Sequence, residues 1–413
     1  MFMLICSKHI AGFVLKKGDF MLNEKMVTLG SRRSVIREIF EYGKKRKAEI
    51  GEENVFDFSL GNPSVPTPET VTAAMERIIS ETDPVRLHGY TSAQGDAAVR
   101  AKIAESIEKR FGFPADKDLI YMTCGAAASL TVTLNALINA GNEVVIPAPF
   151  FPEYRVFAEN AGARVVTVGC RKPDFQLDIS ATESAITEKT KAIIINSPNN
   201  PTGAVFSKDC IKALSSVLEK KQAEYGTDIY IIADEPYREL TYGADVPYIP
   251  KYYGNTVVCY SYSKSLSLPG ERIGYIFIPE AAADCRKLYA AVCGAGRALG
   301  FVCAPSLMQY TVAECLNACP DIAAYRENRD LLFTSLTDYG YEAVPPDGAF
   351  YLFVKSPEPD AYAFCERAKK YELLLVPSDD FGCKGYVRIS YCVTKAQIEK
   401  SLPAFKALIE EYK

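Results

Sequence analysis

The chain has 413 residues, 48% hydrophobic and 24% charged, with a formal net charge of −4. That length exceeds one ordinary core and points to two domains of a globular protein. The acidic balance speaks against nucleic-acid binding, no apolar run is long enough to span a bilayer, and two histidines, His9 and His88, poorly supply a zinc site or a Ser-His-Asp triad.

Residues 1–30 read as an N-terminal extension without assigned chemistry. Its apolar run is short, interrupted by Lys8 and preceded by no cationic stretch, so it makes a poor signal peptide; Met21 and Met26 are alternative starts. Residues 31–68 read as an arm that packs with the C-terminal part, 69–303 as a large domain and 304–413 as a small one. In the large domain the β-branched apolar runs 119–122, 143–146, 164–168, 192–195, 229–232, 256–260 and 272–278 read as buried strands. Amphipathic stretches such as 208–222 lie between several of them. This alternation predicts an α/β fold with a mostly parallel sheet, and ligands then collect beyond the carboxyl ends of the strands. The C-terminal part opens with helical patterns. Residues 348–354 and 386–390 follow as short alternating strands, which gives a smaller, discontinuous α+β domain.

The polar motifs follow the strands. Gly125-Ala126-Ala127-Ala128-Ser129 opens a helical pattern after 119–122, and small residues there let free backbone N–H groups face an anion such as phosphate. Phe151, in Pro149-Phe150-Phe151-Pro152, suits stacking on a flat ring, or simple core packing. Asn200 lies in Asn199-Asn200-Pro201-Thr202-Gly203, whose residues also make an ordinary turn. Asp234 ends the run 229–233, where a buried carboxylate needs a partner. A pyridinium N–H is such a partner; a helix N-cap or a structural salt bridge is the plainer role. Tyr237 and Asn200 carry donors suited to a phenolic oxygen, where they would stabilise the phenolate.

The richest stretch is Ser261-Tyr262-Ser263-Lys264-Ser265, followed by Gly270-Glu271-Arg272-Ile273-Gly274. A lysine amine condenses with aldehydes, and desolvation keeps it reactive. Serine hydroxyls and an arginine fork bind a phosphate dianion. An aldehyde that bears a phosphate, held beside an amine, describes pyridoxal 5'-phosphate. The 13 cysteines include no C-x-x-C pair; Cys315 and Cys319 come closest. They read as reduced thiols of a cytoplasmic protein. His88, before Gly89 and Tyr90, reads as structural.

Together these residues resemble the class I/II aminotransferases of the fold-type I pyridoxal-phosphate enzymes, aspartate aminotransferases among them. The resemblance covers nearly all of the chain after about Arg32, in the order Gly61-Asn62-Pro63, Tyr90, Gly125, Phe151, Asn200, Asp234, Tyr237, Lys264, Arg272 and Arg388. It implies a Schiff base between the cofactor and Lys264, phosphate binding by Ser261, Ser263 and Arg272 and by the backbone at Gly125, Ala126 and Ala127, and a cofactor contact from Asn200. It gives the substrate α-carboxylate to Arg388, with Gly61 and Asn200 in support. It also implies a homodimer in which Tyr90 reaches the phosphate of the partner's cofactor. The implied reaction is transamination from an L-amino acid, aspartate or another acidic or medium-sized donor, to a 2-oxo acid such as 2-oxoglutarate, with Lys264 as general base. Ala126 and Ala127 stand where relatives often carry a hydroxyl. Phe151 stands where many aspartate-specific relatives have tryptophan, a residue this chain lacks. Arg297 falls near the place of a distal-carboxylate arginine in some relatives; a solvent-facing arginine is the plainer reading. A carbon–sulfur lyase or an aminocyclopropanecarboxylate-synthase type shares the same cofactor residues. A cofactor-binding transcriptional regulator needs a DNA-binding module, and the residues before Arg32 are too few for one.

Overall fold

A computed structural model describes residues 22–31 and 34–413. Most of the N-terminal extension, with His9 and Met21, lies outside the described residues. In chain order the strands are β1 (Phe56–Asp57), β2 (Ile120–Thr123), β3 (Glu143–Ala148), β4 (Arg164–Gly169), β5 (Thr190–Asn196), β6 (Tyr230–Asp234), β7 (Thr256–Ser261), β8 (Gly274–Phe277), β9 (Tyr351–Lys355), β10 (Leu373–Leu374), β11 (Val376–Pro377) and β12 (Tyr386–Ser390). The seven runs expected as strands all form, within two or three residues of the expected ends.

Seven strands make one sheet in the order β2-β8-β7-β6-β5-β3-β4. All run parallel except β8, which is antiparallel to both β2 and β7. Strand β8 starts two residues later than the apolar run, because Arg272 takes φ +53° and breaks the extended chain. The strands read as unbroken apolar runs because the sheet is covered on both faces. Ile194, Ile232 and Val257 point to one face and pack with Leu130 and Leu134 of the helix Ala126–Leu137. Their neighbours Ile193, Ile195 and Ile231 point to the other, against Ile211, Leu214 and Leu218 of the helix Lys208–Tyr225. That helix is capped by Ser207, whose side chain accepts from Cys210 N, and ends at Gly226, φ +65°.

The smaller, α+β unit is built on an antiparallel sheet in the order β11-β12-β9. The helices Ile322–Tyr339 and Lys395–Glu410 cover it through Leu332, Leu336, Ile398, Phe405 and Leu408. The N-terminal segment joins this unit: β1 pairs in parallel with β10, and Ile39 of the helix Val35–Ile50 packs on Leu374, Val376 and Phe381. The unit is therefore discontinuous in sequence. No helix among the described residues is long and apolar enough to cross a membrane.

Candidate active site

The carboxyl ends of β2, β3, β5, β6 and β7 share one edge of the large sheet, and the chain leaving each supplies a functional side chain. Register sets the neighbours. Asn196 pairs opposite Asp234, while Thr123 and Ser261 both pair with Gly274. A cavity of about 280 Å³ opens at this edge. Lys264, Asp234, Asn200, Tyr237, Phe151, Ala126, Ala127, Gly61 and Arg388 all line it. The smaller unit closes it with Arg388 and Tyr351, and the N-terminal segment with Ile36, Leu60 and Gly61.

Lys264 sits on the short helix Tyr262–Ser265 that follows β7, and its Nζ donates to the Gly61 carbonyl at 2.6 Å. Burial pulls its pKa down to about 8; the nearby Cys392 thiol opposes this, and Arg272 and Arg388 add to it. A substantial fraction of the amine is therefore neutral near physiological pH, as a nucleophile or a base requires.

Beside the lysine the hydroxyls and the guanidinium form a chain. Ser261 Oγ donates to Ser263 Oγ at 2.8 Å, and Arg272 Nη1 donates to the same Ser263 oxygen at 3.1 Å. Gly125 lies against the guanidinium: a Cβ there would stand 2.4 Å from Arg272 Nη2, and φ is +82°. Only glycine fits both conditions. Gly125 begins the helix Ala126–Leu137 without any side-chain cap, so the first N–H groups of that helix are open to an anion. Ser261, Ser263 and Arg272 do not themselves line the cavity and connect to it through Gly125 and Ala126.

Asp234 ends β6, 5% exposed. The Tyr154 hydroxyl donates to its Oδ2, and Asn196 Nδ2 donates to its backbone oxygen at 2.9 Å. Its Oδ1 is buried without a hydrogen-bond partner. Burial pushes the carboxyl up to about 7 against the opposing Tyr154 hydrogen bond. An orphaned carboxylate oxygen in a cavity suits a cationic N–H donor, and a protonated pyridine nitrogen is one.

Arg388, in β12, is 2% exposed. Its Nη2 donates to Ser59 O at 2.5 Å and its Nη1 to Asn200 Oδ1 at 3.2 Å, while Nε has no partner. No carboxylate pairs with it among the described residues. Burial lowers its pKa, so the site favours an incoming anion. The bond from Arg388 also fixes the Asn200 amide, with its carbonyl turned to the guanidinium and its NH2 free to donate elsewhere. Tyr237 is buried, and burial raises its pKa well above 10. Phe151 meets Tyr154 edge-on at 5.7 Å.

Two candidates lie apart. Tyr90 is 90% exposed. Arg297 is exposed on the helix Cys285–Ala298 and lines a separate cavity with Gln94 and Val302. Within this chain it does not reach the Lys264 cavity. His88 is exposed at the end of the helix Pro84–His88. Sequence reasoning misses Tyr154, Asn196 and Tyr351. Tyr154 follows Phe151 by one helical turn, and Asn196 is the polar end of an apolar strand; both signals are readable. Tyr351 is hidden in a run that reads only as strand.

A two-faced α/β sheet with a half-buried lysine and an orphaned carboxylate at its carboxyl edge, closed by an uncompensated arginine from the smaller unit, is the architecture of a fold-type I enzyme. The chain belongs to the family of aminotransferases of class I and II, whose family model matches residues 53–405, and it is a transaminase. It is 29% identical over 385 residues to a probable aspartate aminotransferase of Methanocaldococcus jannaschii, covering 91% of this chain and 97% of that one. A putative aminotransferase of Bacillus subtilis, YugH, is 31% identical over 87% of this chain and 92% of its own length. Among solved structures, an aminotransferase from Eubacterium rectale superposes with a TM-score of 0.93 at 55% identity, covering 95% of this chain and 99% of that one. The Thermus thermophilus aspartate aminotransferase with maleate superposes with a TM-score of 0.83 at 26% identity, over 94% and 99%.

Proposed function

We propose that the enzyme uses pyridoxal 5'-phosphate to move an amino group from an L-amino acid to a 2-oxo acid, with aspartate among its donors and 2-oxoglutarate as an acceptor. The observation that carries this is the orphaned Asp234 Oδ1 in the same cavity as the Lys264 amine. Asp234 would hold the ring nitrogen, Phe151 the ring face, and Asn200 and Tyr237 the phenolic oxygen. Ser261, Ser263, Arg272 and the N–H groups at Ala126 and Ala127 would hold the phosphate. When bound, the cofactor supplies an electron sink for the charge left at the substrate Cα.

The chain's own groups do the rest. Arg388 grips the substrate α-carboxylate through two parallel hydrogen bonds and so orients the Cα–H bond. Lys264 Nζ takes that proton and later returns it, which its lowered pKa permits near neutral pH. Leu60, Leu130, Ile36 and Phe157 give the same cavity an apolar wall. The names of several relatives support aspartate as a donor. Because Arg297 lies outside the cavity, the cation for a distal carboxylate would come from elsewhere, with the partner subunit the first candidate. We place the enzyme in the cytoplasm as a homodimer, with Tyr90 reaching the partner's cofactor; its free cysteines and the exposure of Tyr90 support this. The test is a half-reaction with each donor in the absence of acceptor. One equivalent of 2-oxo acid per site, with loss of the aldehyde absorbance, is expected. Ammonia and pyruvate from a cysteine-type donor would instead indicate a lyase.

A further inference from the structure

Tyr351 opens β9 and is 2% exposed. Three groups of the site meet on it. Its hydroxyl lies 2.9 Å from the Tyr237 hydroxyl. The Arg388 guanidinium carbon lies 4.7 Å from its ring centre. Gly61, whose carbonyl accepts from Lys264, packs so closely that a Cβ there would stand 2.0 Å from the Tyr351 hydroxyl oxygen. The position is fixed by the sheet, because Tyr351 pairs with Ser390 two residues beyond Arg388. Among the described residues neither tyrosine hydroxyl has another hydrogen-bond partner.

We propose that Tyr351 is a positioning residue that couples the two ends of the substrate site: its ring carries Arg388, and its hydroxyl donates to Tyr237 and thereby aims the Tyr237 proton at the phenolic oxygen of the cofactor. This rests on the cofactor reading above. A hydroxyl that donates needs an acceptor. If Tyr237 gives its only proton to the phenolic oxygen, the proton between the two tyrosines is the one on Tyr351. Accepting that bond polarises the Tyr237 O–H and makes it a stronger donor. The stronger donor stabilises the ionised phenolic oxygen. The Arg388 contact is a cation–π pair in a desolvated place, so the ring holds the guanidinium in the plane that meets the carboxylate.

The experiment is a pH titration of the visible absorbance of the holoenzyme, run on wild type, Tyr351→Phe, Tyr237→Phe and the double variant. Tyr351→Phe should raise the midpoint by a few tenths of a unit, as a strengthening of about 10–30% in one hydrogen bond implies. Tyr237→Phe should raise it further, and Tyr351→Phe should add nothing to Tyr237→Phe, because its effect passes through that hydroxyl. Tyr351→Phe keeps the ring, so KM for the donor should stay within about threefold, while Tyr351→Leu should raise KM about tenfold or more. An unchanged midpoint in Tyr351→Phe, or full additivity in the double variant, overturns the proposal. Equal KM changes in the Phe and Leu variants overturn the ring's part in it. A wild-type protein that binds no cofactor and shows no visible band would instead sink the reading on which the proposal rests.

Discussion

Asp234→Asn should make the cofactor-free protein more stable and the enzyme far slower. In the protein without cofactor, burial lifts the Asp234 carboxyl from 3.8 to about 7. The unfolded chain ionises this group freely, while the folded chain resists until pH 7. Below pH 3.8 both states are protonated and the group has no effect. Between 3.8 and about 7 the folded state binds more protons than the unfolded one, so stability falls as pH rises, and above 7 the loss is complete. That gap corresponds to a ceiling of about 4 kcal/mol. Water penetration and local relaxation reduce it, and about 1–2 kcal/mol is expected at pH 8. Asparagine keeps an oxygen for the Tyr154 hydroxyl and carries no charge, so it escapes the loss. The assay is thermal unfolding of the cofactor-stripped wild type and variant from pH 5 to pH 8. The variant's advantage in Tm should grow with pH to roughly 1–2 °C. With cofactor bound the order should reverse, because only the carboxylate pairs with a protonated ring nitrogen, and kcat should fall by about a hundredfold or more. A Tm difference that does not change with pH, or a variant less stable at pH 8, would mean that Asp234 is an ionised structural residue.

Arg388→Lys keeps the charge and loses the two-pronged grip. It should lower kcat/KM for amino-acid donors by about a hundredfold or more while leaving the cofactor bound, as steady-state kinetics and equilibrium dialysis will check. Gly125→Ala puts a Cβ 2.4 Å from Arg272 Nη2 at φ +82°; cofactor affinity should fall about tenfold or more in equilibrium dialysis, with free phosphate competing less well. Tyr90→Phe and Lys264→Ala, each of low activity alone, should regain activity when mixed under subunit exchange, since one site of the mixed dimer carries neither lesion; a fully active monomer in sedimentation would rule this out.

Much of the site was legible because its chemistry follows strand ends. Asp234 after five apolar residues and Lys264 among serines are strong signals, and the parallel sheet brings such ends to one edge without further information. The apolar runs were equally plain, since strands covered on both faces have no polar alternation to disguise them. The antiparallel direction of β8 was not legible: its run 272–278 looks like its parallel neighbours, and only the short return from β7 turns it round. Tyr154 and Tyr351 escaped because a tyrosine in an apolar run is ordinary core until its hydroxyl is seen to meet a carboxylate or a second tyrosine. Arg297 follows its plainer reading: helical phase on Cys285–Ala298 turns it to solvent and to another cavity.

The most direct test of the account is borohydride reduction of the yellow holoenzyme, followed by peptide mapping. Reduction converts the carbon–nitrogen double bond between the cofactor aldehyde and its lysine into a stable amine. The half-buried Lys264, with a pKa near 8 and sharing its cavity with Asp234 and Arg388, should carry the label in stoichiometric amount, and Lys264→Ala should bind cofactor without fixing it. A label on any other lysine, or a Lys264→Ala protein that still fixes cofactor and turns over, would contradict the account.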